Sequence, residues 1–275
     1  MNKFWSIILG LSLVLTACGA DRGEITVISR EEGSGTRSAF IALSGVEEEG
    51  EDKSYVRAEV SSSTAVVLQS VMGNRNAIGY LSVGALNSNV RALRIDGAEA
   101  SAERIADGSY PLARSFYLVS YGTPDRGAAD FLSFVHSKEG QAVVAEEGYV
   151  PMGGSSFEGT HPQGLLRIAG SGSVAPLMEA LAEGYAGYNP ALRIEIQISD
   201  SSTGLSALEA DLCELAMSSR SLTEKEQARG LRAQEFCKDG IAVIVNPENA
   251  VENLTMAQLR GIFTGQIRYW QQVGQ

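Results

Sequence analysis

A chain of 275 residues, 44% hydrophobic and 20% charged, can bury the core of one or two domains, which excludes a disordered or collagen-like polymer. Its 22 Lys and Arg against 33 Asp and Glu give a formal charge of −11, which opposes general binding to nucleic-acid backbones, because that binding rests on neutralising phosphates with cations. Two His and three Cys, with no Cys-x-x-Cys and no His-Glu-x-x-His, leave almost no material for a zinc site or a His-dependent hydrolase.

The chain opens with MNKFWSIILGLSLVLTAC, in which Lys3 precedes an apolar run from Phe4 to Leu15 and small residues precede Cys18. That run is short for a bilayer span and reads as a signal peptide over 1–17, so export is expected. Leu15-Thr16-Ala17-Cys18 resembles the bacterial lipoprotein cleavage box, in which the Cys becomes the lipidated N-terminus. Cleavage there removes only one base, Lys3, so the mature domain is more acidic still.

Strand-like runs then alternate with helix-like ones. Strands are predicted over 25–28, 77–81, 116–119, 165–168, 192–198, 215–217 and 241–245, and helices over 37–43, 65–72, 127–146, 174–187, 204–212 and 255–262. Arg193, Glu195 and Gln197 alternate with Leu192, Ile194, Ile196 and Ile198, the period of a strand with one buried face. Leu177, Leu181, Tyr185 and Tyr188 follow helical spacing after Pro176, a residue favoured in a first turn. This alternation argues for an α/β fold. Residues 152–164 have the composition of an exposed linker, and 45–52 reads as an acidic surface loop. Cys213 and Cys237 each adjoin a predicted strand; in an oxidising compartment they are candidates for a disulfide, or else two buried thiols.

Three Gly/Ser/Thr clusters sit between a strand and a helix: Gly33-Ser34-Gly35-Thr36, Gly170-Ser171-Gly172-Ser173 and Ser201-Ser202-Thr203-Gly204. Small residues allow close backbone approach, a helix N-terminus presents unpaired N–H groups, and hydroxyls add donors, so three such loops converging would cage an anion. Any one of them would also serve as a plain helix cap. Arg30, beside the first cluster, is suited to clamp a tetrahedral oxyanion, and Glu32 could hold its guanidinium. No Gly-x-x-x-x-Gly-Lys-Ser/Thr and no Gly-x-Ser-x-Gly is present, and no His base is near, so the serines read as donors and not nucleophiles.

These residues carry a resemblance. Ser29-Arg-Glu-Glu-Gly-Ser-Gly-Thr-Arg37, Ala77-Ile-Gly-Tyr80, Gly148-Tyr-Val-Pro151, Gly170-Ser-Gly-Ser-Val-Ala-Pro-Leu-Met178, Met217-Ser-Ser-Arg-Ser-Leu-Thr223, Asp239-Gly-Ile-Ala-Val-Ile-Val-Asn-Pro247 and Leu259-Arg-Gly-Ile-Phe-Thr-Gly-Gln-Ile-Arg-Tyr-Trp270 resemble the phosphate-binding lipoproteins of bacterial phosphate ABC importers, a branch of the type II periplasmic-binding-protein superfamily. The resemblance implies a two-lobed α/β fold, each lobe a mixed or parallel sheet flanked by helices. It implies a non-enzymatic receptor, without a cofactor, that carries inorganic phosphate to membrane permease subunits. The order of segments departs from the family's, the half that is normally second coming first, as in a circular permutation; a truncated tandem would give the same order. One lobe is then expected from 21–90 with 248–275 and the other from 91–247, with 152–164 joining the ancestral termini. A monomer is expected, a swapped dimer being the alternative. Carried over residue by residue, the site takes Arg30, Ser34, Gly35 and Thr36 from one lobe and Gly172, Ser173, Ser201 and Ser219 from the other, with Glu32 orienting the arginine. Ser219 stands where some members have an Asp that accepts a proton from phosphate, which weakens the expected exclusion of sulfate or molybdate. A phosphate sensor without a transport role, or a phosphatase, are the remaining alternatives.

Overall fold

The structure, a computed structural model, describes residues 23–273, so the signal segment 1–17 and Cys18 lie outside the described residues. The apolar runs form β1 (Thr26–Arg30), β2 (Glu59–Ser61), β3 (Ala77–Ser82), β4 (Ala113–Tyr121), β5 (Gly164–Ser171), β6 (Leu192–Ser199), β7 (Leu215–Ser218) and β8 (Leu231–Val245). They lie in the order β6-β5-β7-β4-β8-β3-β1-β2 within a ten-stranded sheet, which also takes Arg91–Ala92 and Val150–Pro151 against β8. Pairing is parallel at each end of this order and antiparallel around β4 and β8. The principal helices are α1 (Gly35–Ser44), α2 (Thr64–Gly73), α3 (Arg126–Val135), α4 (Lys138–Glu146), α5 (Ala175–Ala186), α6 (Ser201–Glu209) and α7 (Met256–Phe263). β5-α5-β6-α6-β7 is thus a run of helical crossovers between parallel strands, the arrangement expected of an α/β chain.

β8 organises the molecule. Its residues 231–240 pair with β4 and its residues 241–245 with β3, so one strand passes through both halves of the sheet. The apolar second part was legible in the sequence. The first part was not, because Arg232, Gln234 and Lys238 face solvent and a register shift between Glu235 and Cys237 breaks the alternation.

Two large apolar cores flank this junction. One contains Phe116, Phe131, Phe134, Leu177, Tyr185 and Phe236; the other contains Phe40, Tyr80, Leu93, Tyr110, Val243 and Phe263. In the second, the Phe40 and Tyr80 rings stack at 4.0 Å between centroids. Each such side chain contributes about 1.5–3 kcal/mol by leaving water. The expected division at 90/91 and 247/248 needs correction: Leu93, Ile105, Leu112, Ile241 and Val245 pack with Val27 and Ile78, not with the Phe116 core. The chain crosses between cores at the paired residues Ala113 and Gly240, beside the bond from Ile241 N to Leu112 O (2.9 Å).

Three further expectations change. The helix predicted over 127–146 is two helices, because Ser137 caps α4 through Gly140 N, and a side chain on Gly140 would strike Phe134 O at 2.2 Å. The 152–164 segment is held down: Phe157 sits edge-on to Phe134 and Tyr185, and Thr160 N donates to Asp130. Cys213 and Cys237 are both buried and free. Cys213 leads into β7 and Cys237 lies on β8, so β4 runs between them; two strand spacings of about 4.8 Å exceed the span of a disulfide.

Candidate functional site

The three small-residue loops meet where the two cores face each other. Ser34 precedes α1 in extended conformation and caps it by accepting from Arg37 N (3.3 Å), which leaves Gly35 and Thr36 in a first turn whose N–H groups lack intrahelical acceptors. Pro176 opens α5, and Ser173 in the loop before it donates its N–H to Ser171 Oγ (3.3 Å). α6 is capped by Asp200, which accepts from Thr203 N and Thr203 Oγ1, so Ser201 is a first-turn residue and not the cap.

These termini touch across the junction. Thr36 Oγ1 and Ser173 Oγ are 2.7 Å apart. Ser219, just past β7, donates its N–H to Ser201 Oγ (3.2 Å), and its hydroxyl accepts from Ser171 Oγ (2.9 Å). Ser202 N and Ser202 Oγ both donate to Gly33 O. Ser34, Thr36, Ser173, Ser201 and Ser219 are all buried, so the hydroxyl cluster is shielded from bulk water. Its groups are neutral and rotatable, able to donate to an anion held among them.

Arg30 and Gly172 line an adjoining cleft of about 560 Å³, together with Glu31, Thr64, Pro176, Ile198 and Asp200. The guanidinium is 4% exposed and held on two sides: Nε and Nη2 donate to the two Glu31 carboxylate oxygens at 2.8 and 2.7 Å, and Nη1 donates to Thr64 Oγ1 at 3.3 Å. Glu31 therefore takes the role assigned to Glu32. A turn begins at Glu31, closed by Ser34 N on Glu31 O, and carries Glu32 out to solvent. Behind Arg30, its backbone N–H donates to Tyr80 OH (3.1 Å), and burial raises the pKa of that phenol. Ser63 caps α2 through Val66 N.

Sequence reasoning missed a second cation. Arg114 and Asp239 are cross-strand partners on β4 and β8, with Nε donating to Oδ2 at 3.0 Å and both side chains buried. Burial pushes the Asp239 carboxyl up and the Arg114 guanidinium down, while their mutual attraction opposes both shifts. Ser82 Oγ donates to Asp239 Oδ1 (2.9 Å), and Arg114 Nη1 donates to Ser219 O (3.4 Å). The available signal was a charged residue set into each of two strands. Ser202 already stood in the third small-residue cluster, and Thr64 stands with Ser63 at the head of the 65–72 helix, a place for a further donor or a plain cap.

A profile of the PBP superfamily domain matches residues 12–139 and 155–275. The phosphate-binding protein PstS 2 of Streptococcus agalactiae serotype V is 41% identical over 269 residues, covering 94% of this chain and 92% of its own. That of Streptococcus pneumoniae serotype 4 is 40% identical over 280 residues, covering 96% of each. The solved structure of a phosphate-binding protein of a phosphate ABC transporter from Streptococcus pneumoniae TIGR4 superposes with a TM-score of 0.72 at 39% identity, covering 91% of this chain and 99% of that one. With a profile match over most of its length and relatives of this similarity, the chain belongs to the PBP superfamily, in its branch of phosphate-binding proteins.

Proposed function

We propose that this chain is an extracytoplasmic receptor that closes two lobes on one inorganic phosphate ion and presents it to the permease subunits of an ABC importer. The observation that carries this reading is the meeting of the α1, α5 and α6 N-termini, through Thr36, Ser173, Ser201 and Ser219, beside the buried Arg30. Helix N-termini and hydroxyls replace the hydration shell of an oxyanion, and a guanidinium supplies charge. The net charge of −11 is no obstacle, because neutral donors and one held arginine need no basic surface. Both His residues lie elsewhere, His136 at the end of α3 and His161 in the 152–164 segment, which favours binding over hydrolysis.

Lipidation of Cys18 would tether the receptor to the outer face of the membrane; among the described residues no helix is long and apolar enough to cross one. We also read the segment order as a circular permutation that folds as a monomer. One observation supports it: the segments about Gly23 and Trp270 adjoin, with Trp270 N donating to Gly23 O (2.9 Å) and Arg268 paired with Glu24 at 2.7 Å, so a connection there is geometrically simple.

The test is calorimetric titration of the mature domain with phosphate, sulfate, molybdate and arsenate, repeated on Arg30→Ala. Phosphate should bind tightly and lose at least about 100-fold in affinity on loss of the guanidinium, the scale expected when one partner of a buried charged contact is removed. Equal affinity for sulfate, or binding indifferent to Arg30, would defeat the assignment. Release of phosphate from a phosphoester at a rate dependent on Ser34 or Ser173 would defeat the receptor reading itself.

A further inference from the structure

Arg114 and Asp239 sit where the chain passes between the two cores, next to the Ala113–Gly240 pair. Each contacts a different half of the molecule. Asp239 accepts from Ser82 at the end of β3, whose strand belongs to the core of Phe40 and Tyr80. Arg114 donates to Ser219 O, just past β7, whose Met217 belongs to the core of Phe116. Ser219 is also the residue whose N–H and hydroxyl bond to Ser201 and Ser171 in the anion cage. A continuous polar chain therefore runs Ser82, Asp239, Arg114, Ser219, Ser201, from one half through the junction and into the site.

Stability is a poor reason for such a pair. Desolvating two charges offsets much of their attraction, and apolar replacements of similar volume are often as stable. The guanidinium is also incompletely used: Nη2 lies 2.9 Å from Asp239 Oδ2, off the bonding angle, and is buried without a hydrogen-bond acceptor. Its carbon stands 4.9 Å from the centre of the Phe116 ring, which fixes the plane of the fork. An arginine so held has one orientation, and in that orientation it reaches the Ser219 carbonyl.

We propose that Arg114 is a positioning residue for the bound anion: anchored by Asp239 at the junction, it holds the Ser219 peptide so that Ser219 and Ser201 face the ion when the halves close. The inference rests on the receptor reading and deepens it. Arg114 does not touch the ion; it acts through Ser219, and through its anchoring ties the geometry of the cage to the strands about which the halves turn.

The test separates positioning from charge neutralisation. Arg114→Met alone strands a buried carboxylate, so both melting temperature and phosphate affinity should fall, the latter at least about tenfold. The double variant Arg114→Met/Asp239→Asn leaves no unpaired charge; its melting temperature should recover toward the parent's while phosphate affinity stays at least about tenfold down. A double variant with parental affinity overturns the proposal. Should the double variant not fold, Arg114→Lys decides: it keeps a cation opposite Asp239 without the planar fork. Parental melting with affinity at least about threefold weaker supports positioning, and parental affinity overturns it. A parent protein that binds no phosphate would sink the receptor reading and this inference together, whereas failure in the variants alone sinks only this one.

Discussion

Gly35 lies so close to Ser201 that a Cβ built on it falls 2.3 Å from the Ser201 hydroxyl, and 2.5 Å from that of Ser219. The contact joins the first turn of α1 to the first turn of α6 across the junction of the two cores. Gly35 has an ordinary helical backbone, so Gly35→Ala removes no needed conformational freedom; in a helix it should add up to about 1 kcal/mol of stability. The methyl group can be accommodated only by moving the two hydroxyls or parting the halves. Overpacking at the buried contact offsets the helix-propensity gain, so Gly35→Ala should melt at or below the parent's temperature while losing at least about tenfold in phosphate affinity. Parallel calorimetry and thermal melts check this, and unchanged affinity would remove Gly35 from the site.

Glu31 and Glu32 are neighbours with opposite expected effects. Glu31 holds the buried Arg30 guanidinium through both oxygens, whereas Glu32 faces solvent in the turn. Deleting either carboxylate makes the protein less acidic, which on long-range electrostatics alone would strengthen anion binding. Losing the bidentate hold frees Arg30 to swing, and a charge-assisted hydrogen bond is worth about 1.5–3 kcal/mol, more than a screened surface charge supplies. Glu31→Ala should weaken phosphate binding about tenfold, and Glu32→Ala should change it less than about twofold. The reverse order in a titration would return the orienting role to Glu32.

How much of this was legible follows from the distance over which each feature is determined. α1, α5 and α6 are announced locally, by an apolar strand, a small-residue loop and a helical period, and all three lie within a few residues of where the sequence puts them. The choice between Glu31 and Glu32 turns on one peptide's rotation at a strand end, below the resolution of spacing arguments. Arg114 and Asp239 are 125 positions apart, and nothing local in either strand names its partner. The choice between a Cys213–Cys237 disulfide and two buried thiols stayed open for a related reason. Each thiol is beside a strand, as read, but strand order is a property of the whole sheet, and β4 occupies the place between.

A second carboxylate makes part of the fold's stability pH-dependent. Glu226 takes both terminal nitrogens of Arg220 at 2.7 and 2.8 Å, Arg220 Nη2 also donates to Ser202 Oγ, and Ser202 bonds across the junction to Gly33 O. The hydrogen bond from Arg220 pulls the Glu226 carboxyl down to about 2 from an ordinary 4.5. The sign follows: a carboxylate with a depressed folded pKa stabilises fully above its unfolded value, and that contribution is lost as pH falls toward the folded one. The melting-temperature gap between the parent and Glu226→Gln should be constant above about pH 5 and close progressively toward about pH 2. A gap that persists at pH 2 would show that Glu226 acts by packing and not by charge.

If the segment order is a permutation, the cut is reversible. Gly23 and Trp270 are joined by a backbone hydrogen bond, Ile25 N donates to Arg268 O at 2.8 Å, and Glu24 pairs with Tyr269 as an isolated bridge, so a short polar loop can replace the present ends without moving either. The 152–164 segment offers the compensating opening. Its Met152 and the residues around Gly153 are exposed, although Phe157 and Thr160 are anchored to Phe134 and Asp130, so the opening belongs before Ser155 and not beyond it. A chain beginning near Ser155, running through Val273 into a Gly/Ser connector and on from Gly23 to Met152, should fold to the same cores. Loop-closure entropy grows only slowly with connector length, so its stability should lie within about 2 kcal/mol of the parent's. Its phosphate affinity should be unchanged, because Arg30, Thr36, Ser173, Ser201 and Ser219 all lie inside continuous segments of either order. A monomeric, folded product that binds phosphate normally would establish that the two orders are equivalent solutions of one fold. A rejoined chain that folds only as a dimer, or not at all, would mean that the present ends are part of what holds the receptor together.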